Sequence, residues 1–384
     1  MSAPLRFIVE DLLPTRTAAR RWYGIALSQQ LARQNPAGIG IEAIVAHGHR
    51  DELAELLITS ASFDSFLTSF FGSRTVRAAW RHGFPLPLGF GMTHAPSMLA
   101  PTFPHDHSND PGSHLVVTLH DLAAFNPNHA DERARQRQEM RIKQAWNYAD
   151  AIVVPTHALA RELTEHYNFG DRLHVISRFP LVSSSPDGLA ETPSEPKART
   201  KSTGDYLAYV IDENDLGGIS QALQLLTTKE LKDAQLLVID RRAPSHQTSG
   251  LLEFAEQQGI DSGRVIHVLP DSIEEYATLL TNAQIAVFTD QVEAHHQALL
   301  DAWSLGVPAV GVNTPGFTET NGDAAIVVEE NAGVAGLAKA IDTLSRSSKD
   351  RERLITRGRD RLTAFNPADV AELVWDLHAD LAGA

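Results

Sequence analysis

The feature that most limits what this chain can become is a repeated alternation. Short apolar runs rich in β-branched residues are separated by segments of helical period. In the first half the strand-like runs are Leu5 to Val9, Ile41 to Val45, Leu115 to Leu119, Ala151 to Val154 and Leu173 to Ile176. In the second they are Tyr206 to Ile211, Gln235 to Ile239, Val265 to Leu269, Ile285 to Phe288 and Ala309 to Val312. Alternation of this kind predicts parallel strands joined by crossover helices, hence doubly wound α/β sheets.

One stretch breaks the pattern. Residues 183–204, SSSPDGLAETPSEPKARTKSTG, are dominated by serine, proline, threonine and charge, and nothing in them packs a core. They read as a linker between a Rossmann-like domain at 1–182 and a second at 205–364. A terminal helix over 365–384 is expected near the junction. A length of 384 residues suits two cores better than one. The expected ligand site is the cleft between the halves, at the carboxyl ends of the strands. The segment from Asp51 to Gly91, with Phe63, Phe66, Phe70 and Phe71, is read as helices packing on the first domain, or as a surface for a membrane or partner.

Composition excludes several classes. A formal charge of −15 disfavours a nucleic-acid binder, which needs a positive surface to displace counterions. Cysteine is absent, which removes disulfides, thiolate metal sites and a cysteine nucleophile together. No run of 18 apolar residues exists, so no membrane-spanning helix is expected. The N-terminus reads as a first strand, not a leader, and the expected location is cytoplasmic or peripheral at the inner face of the membrane. No metal or cofactor is expected. His105, Asp106 and His107 lie in a Pro/Gly/Ser-rich loop without an apolar frame and read as solvated. The Arg- and Gln-rich helix from Asp131 to Tyr148 likewise reads as a solvated amphipathic face. P-loop, GxGxxG and GxSxG motifs are missing.

Three stretches resemble the family-4 GT-B glycosyltransferases, especially those of actinobacterial type. The first runs from Thr93-His94-Ala95-Pro96-Ser97 through Val116-Val117-Thr118-Leu119-His120-Asp121-Leu122 to Ala149-Asp150-Ala151-Ile152-Val153-Val154-Pro155-Thr156. The second, Glu293 to Asp301 and on to Val310, is similar to the E-x7-E donor motif with aspartate in its second place. The third, Thr314 to Ala325, resembles the donor segment that follows and contains Glu319.

The resemblance implies a GT-B fold and metal-free transfer of a hexose from a UDP- or GDP-sugar, with retention, to a glycan or lipid-linked acceptor. It places His120 near the reacting sugar and Glu293 on the sugar as the catalytic pair. Asp301 falls where ribose hydroxyls are held, with Glu319 nearby, and His295 and His296 are candidate phosphate donors. The phosphate-binding positions depart from the family. Where it has an Arg and a Lys, this chain has Asp212, Glu213 and Asp215, each repelling a contacting phosphate charge by about 1 to 4 kcal/mol. Thr15 to Arg21 replaces the glycine turn, and Ala294-His295-His296 replaces Gly-Phe-Gly. Substitute cations are Arg16, Arg20 and Arg21 in the Thr15 to Arg21 stretch, Arg178 near the linker and Arg241-Arg242 after a second-domain strand; Arg20 and Arg241 are the ones expected to meet the donor. Two expectations follow: an active transferase, or a catalytically inactive relative retained to bind or scaffold a protein partner.

Overall fold

The computed structural model describes residues 4–13, 18–36, 38–48, 62–84, 91–104, 112–122, 125, 132–182, 206–212, 216–242, 250–289 and 296–383. The chain divides into two compact units, one formed by Met1–Pro127, Asp131–Ser177 and Pro367–Ala384, the other including Arg178–Asn366. The expected linker, the His105–His107 cluster, Arg16, Glu213, Asp215, Glu293 and His295 lie outside the described residues.

The first unit is built on a seven-stranded parallel sheet. Its strands are β1 (Leu5–Ile8), β2 (Ile41–His47), β3 (Ser65–Gly72), β4 (Met92–Ala95), β5 (His114–Thr118), β6 (Ala151–Val154) and β7 (Leu173–Val175). They run in the order β3-β2-β1-β4-β5-β6-β7. Every residue of β5 and β6 is buried, as strands covered by helices on both faces must be. The helices are α1 (Ala18–Arg33), α2 (Ser73–Arg81), α3 (Glu132–Tyr148) and α4 (His157–His166). The order reverses between β1 and β4, which is where a doubly wound sheet opens a crevice at its carboxyl edge.

The expectation of helices throughout Asp51 to Gly91 needs correction. Ser65–Gly72 is an edge strand paired with β2, and only Ser73–Arg81 is helical within the described part. Phenylalanine and threonine favour a pleated strand, and an edge position leaves Phe70 88% exposed.

The second unit carries a six-stranded parallel sheet in the order β10-β9-β8-β11-β12-β13. These are β8 (Tyr206–Ile211), β9 (Gln235–Asp240), β10 (Val265–Val268), β11 (Ile285–Phe288), β12 (Ala309–Val312) and β13 (Ile326–Val328). Around it lie α5 (Leu216–Gln224), α6 (Leu251–Gln257), α7 (Ile273–Thr281), α8 (His296–Ser304), α9 (Pro315–Asn321), α10 (Gly333–Ser345) and α11 (Ser348–Leu362). The start of α9 follows from its residues: Thr314 caps the Phe317 amide and Pro315 occupies the first turn. Gly311 of β12 lets the helix sit close, since a Cβ there would lie 2.4 Å from the Phe317 ring.

The last helix, α12 (Pro367–Gly383), belongs to the first unit. Trp375 Nε1 donates to the Leu31 carbonyl at 3.0 Å, fixing it to α1. Beneath it runs a chain of three buried imidazoles. His378 Nε2 meets His94 Nδ1 of β4 at 3.2 Å, and His378 Nδ1 meets His114 Nε2 of β5 at 2.8 Å. Each contact needs one proton, so neutral His378 donates through one nitrogen and accepts through the other. Burial lowers His94 to about 3 and, with the two neighbouring imidazoles, lowers His378 well below its ordinary value.

A group whose folded pKa is depressed binds fewer protons folded than unfolded, so stability falls as acid is added. Near-UV melts of the first unit should therefore lose thermal midpoint steadily as pH drops from about 6.5, the unfolded histidine value, towards about 3. His94→Gln, which cannot titrate, should flatten that fall; an unchanged slope would mean that protonation of His94 is not what sets it.

Candidate functional site

In the second unit the site is laid out by strand register. Ile211 of β8 is paired with Asp240 of β9, so the next residues, Asp212 and Arg241, leave adjacent strands side by side at the carboxyl edge. The guanidinium grips the carboxylate as a fork, with Nε and Nη2 each 2.6 Å from an Asp212 oxygen. Its Nη1 reaches Asp301 Oδ2 at 3.5 Å, and its carbon lies 4.3 Å from the centre of the Tyr276 ring. Arg241 is 1% exposed and Asp301 0%. Burial opposes the Arg241 charge, but Asp212, Tyr276 and Asp301 outweigh it and raise the guanidinium above its ordinary value. Burial raises the Asp301 carboxyl, against the pull of Arg241 and the groups bonded to it.

Asp301 is fully engaged within the chain. One oxygen accepts the Leu181 amide at 2.7 Å and Gln297 Nε2 at 3.1 Å. The other accepts the Tyr276 hydroxyl at 2.9 Å as well as Arg241. A carboxylate offers about four acceptor positions, and all are taken. The reason lies in α8. Gln297, Asp301 and Ser304 share one helical face, and that face clamps the segment from Phe179 to Val182. Gln297 donates to the Phe179 carbonyl at 2.9 Å, Asp301 holds Leu181, and Ser304 donates to the Val182 carbonyl.

Asp301 and Arg241, expected as donor ligands, are each engaged inside the unit in this structure. The two neutralise each other, with Asp212, inside the unit, and a ribose hydroxyl at Asp301 would have to displace one of these donors. A second ion pair stands alongside: Arg242 grips Asp240 at 2.9 and 2.7 Å, and His267 Nε2 lies 3.1 Å away. Burial alone would raise Asp240, but the bonds from Arg242 and His267 outweigh it and hold the carboxyl at about 2.

Of the other expected donor residues, Glu319 sits on α9, its carbonyl accepting from Arg361 Nη2 at 3.0 Å. His296 opens α8. A groove of about 280 Å³ lined by Leu207, Lys229, Lys232, Gln284 and Arg346 lies at the opposite, amino-terminal edge of the sheet, away from these groups.

In the first unit His120 follows β5 and is buried. Its Nε2 donates to the Pro96 carbonyl at 2.7 Å, and the Tyr23 ring meets it edge-on at 5.6 Å. A carbonyl only accepts, so Nε2 carries the proton of this bond and the ring is held in one orientation. Asp121 accepts from Gln138 Nε2 at 2.9 Å and from Arg20 Nη2 at 3.4 Å. Arg20 thus stands at the carboxyl edge of the first sheet beside His120. Among the described residues no group of three histidine or carboxylate side chains is placed to hold a metal ion.

Sequence reading passed over Tyr276, which carries no motif. The spacing of Gln297, Asp301 and Ser304 was the available sign that this helix face grips something. Tyr276→Phe removes one of the four Asp301 donors without changing volume much. It should lower unfolding free energy by about 1.5 to 3 kcal/mol, the range for a hydrogen bond to a buried charge, measured by urea titration.

Residues 25–179 match the model for Glycosyltransferase Family 4 and residues 206–361 the model for Glycosyl transferases group 1. No curated protein matches the chain. Among solved structures, sucrose-phosphate synthase from Thermosynechococcus elongatus is similar at 17% identity and a TM-score of 0.61, covering 99% of each chain. WaaG, a glycosyltransferase involved in lipopolysaccharide biosynthesis, is similar at 13% and 0.62, over 97% of this chain and 99% of its own. Anabaena HepE, solved with UDP and glucose, gives 13% and 0.62 over 98% and 99%. Among the described residues no helix is long and apolar enough to cross a membrane. With two Rossmann-like sheets and one family model on each, the chain is a GT-B protein of the group 1, family-4 glycosyltransferases.

Proposed function

We propose that the protein transfers a hexose from a nucleotide-diphosphate sugar, with retention, to a glycan or lipid-linked acceptor. The observation that carries this reading is His120. Its ring is buried, oriented by the Pro96 carbonyl and braced by Tyr23, and it stands at the sheet edge where this fold takes its ligands. A histidine ring held in one orientation at this edge can help position a sugar or acceptor hydroxyl before bond formation. Glu293 would contact the transferred sugar, and His295, His296 and Glu319 would complete the donor side.

The arrangement in the second unit favours a second reading. Asp301 and Arg241 serve each other instead of a nucleotide, which suits a catalytically inactive relative that binds a protein partner. Leaving-group charge in a transferase has to be met by cations or amide groups, and the buried guanidinium is already matched by carboxylates. Fold alone does not decide between the two.

Calorimetric titration with UDP, GDP, ADP and their hexose conjugates separates them. The transferase reading expects saturable heat with one nucleotide sugar, weakened about tenfold or more in Glu293→Ala. Silence with every nucleotide at millimolar concentration would transfer the case to the inactive relative.

A further inference from the structure

Among the described residues, three of the six exposed large apolar side chains lie in one stretch of the first unit. Phe70, Phe71 and Phe84 are 88%, 43% and 63% exposed. Phe70 and Phe71 owe this to the pairing of β3 with β2. Between the pairs Val45–Thr68 and His47–Gly72, β2 advances two residues and β3 four, so Ser69, Phe70 and Phe71 stand opposite Ala46 alone. A bulge of this kind bends an edge strand and re-aims its side chains. Ser69 holds it from within: the serine is buried, and its hydroxyl accepts the Phe71 amide at 3.1 Å. Phe84 stands at the far end of α2, where its amide donates to the Ala79 carbonyl at 2.9 Å.

The helix between these aromatics is basic. Arg74, Arg77 and Arg81 fall at i, i+3 and i+7, one stripe of α2, and Ser73, Val76 and Trp80 repeat that spacing one residue earlier as its buried face. Arg74 is exposed, and Arg77 and Arg81 are half-buried. From Ser65 to Phe84 the chain has three arginines and no acidic residue, in a protein of net charge −15. Glu10, which accepts the Ser73 hydroxyl at 2.7 Å, is 0% exposed and holds the start of the helix from beneath. The end of α2 is held by α3, whose face is not simply solvated as its composition suggested: Gln144 donates to the Arg81 carbonyl. Aromatics and arginines are thus kept in place along a helix of nine residues, about 14 Å.

We propose that the β3 bulge and the arginine stripe of α2 dock this unit on an anionic lipid surface. Exposed phenylalanine gains free energy by leaving water, and a bilayer with anionic headgroups offers apolar chains for the rings and phosphate for the guanidinium groups. A protein interface gathers its apolar groups into a core depleted of charge, whereas here the charge runs between the aromatics. The docking does not rest on the transferase reading, since an inactive relative would sit on the surface in the same way. On that reading it has a further use. Gly72 ends β3 at the same carboxyl edge of the sheet as His120, four strand spacings or about 19 Å along it. A lipid-linked acceptor would then meet the edge from the surface that holds the unit.

The test is flotation of the full chain with vesicles of phosphatidylcholine alone and of phosphatidylcholine mixed with phosphatidylglycerol. It is repeated on Phe70→Ser, on Phe70→Ser with Phe71→Ser, on Arg74→Gln, and on Leu373→Ser, which removes a 50% exposed leucine from α12. The wild type should float with the mixed vesicles and much less with the neutral ones, and salt should weaken the binding. The double phenylalanine variant should bind about tenfold or more weakly, Phe70→Ser and Arg74→Gln about fivefold, and Leu373→Ser within about twofold. Phe70→Ser and Arg74→Gln change exposed side chains and should keep the wild-type melting temperature, so their loss of binding is not a loss of fold. No flotation with the mixed vesicles, equal flotation with the neutral ones, or an equal loss in Leu373→Ser would overturn the proposal. So would a lipid-free dimer in sedimentation velocity that Phe70→Ser disperses, which would give the surface to a second copy of the chain. Phe70→Ser should leave the nucleotide titration unchanged, so either proposal can fail while the other stands.

Discussion

Arg241 takes a full positive charge into an interior where an unpaired charge is very costly, and the second unit is arranged around meeting that demand. Asp212 meets it with two oxygens, Asp301 with one, and the Tyr276 ring with its negative face. Once Asp301 is committed to this group its remaining positions go to Leu181 and Gln297, and through them α8 takes hold of the incoming segment. The carboxylate that family resemblance assigns to a ligand thus connects a buried charge to the chain path. A nucleotide would have to compete with four intramolecular donors to use it.

The fold was legible in the sequence wherever strands are buried on both faces. Runs such as Leu115 to Leu119 and Ala151 to Val154 are apolar throughout because helices cover the parallel sheet on both sides. Edge and marginal strands carried less signal. Ser65–Gly72 has solvent on one side and reads neither as an alternating nor as a continuous apolar run. The short β4 and β13 are too brief for periodicity to register.

The candidate site was legible in residue type but not in partnership. Asp301 and Arg241 were both recognisable as charged groups near the donor motif. Their mutual engagement depends on the β8–β9 register, which brings Asp212 and Arg241 together across 29 positions of sequence. In the same way the arginines of α3 look like an ordinary solvated face until Gln138 and Gln144 show that the face is docked. Strand-end positions and helix faces acquire their chemistry from neighbours distant along the chain, and linear spacing does not carry that information.

The second unit thus settles its buried charge internally, with carboxylates matching the Arg241 guanidinium. The central claim, that Arg241 and Asp301 act as one closed structural group, is tested most directly by a double-mutant cycle in urea. The variants are Arg241→Met, Asp301→Asn and both together. The account predicts that each single change is costly and that the pair costs less than their sum, with a coupling of about 1 to 3 kcal/mol. Additivity within about 0.5 kcal/mol would contradict it and return Asp301 to the role of a group held ready for a ligand.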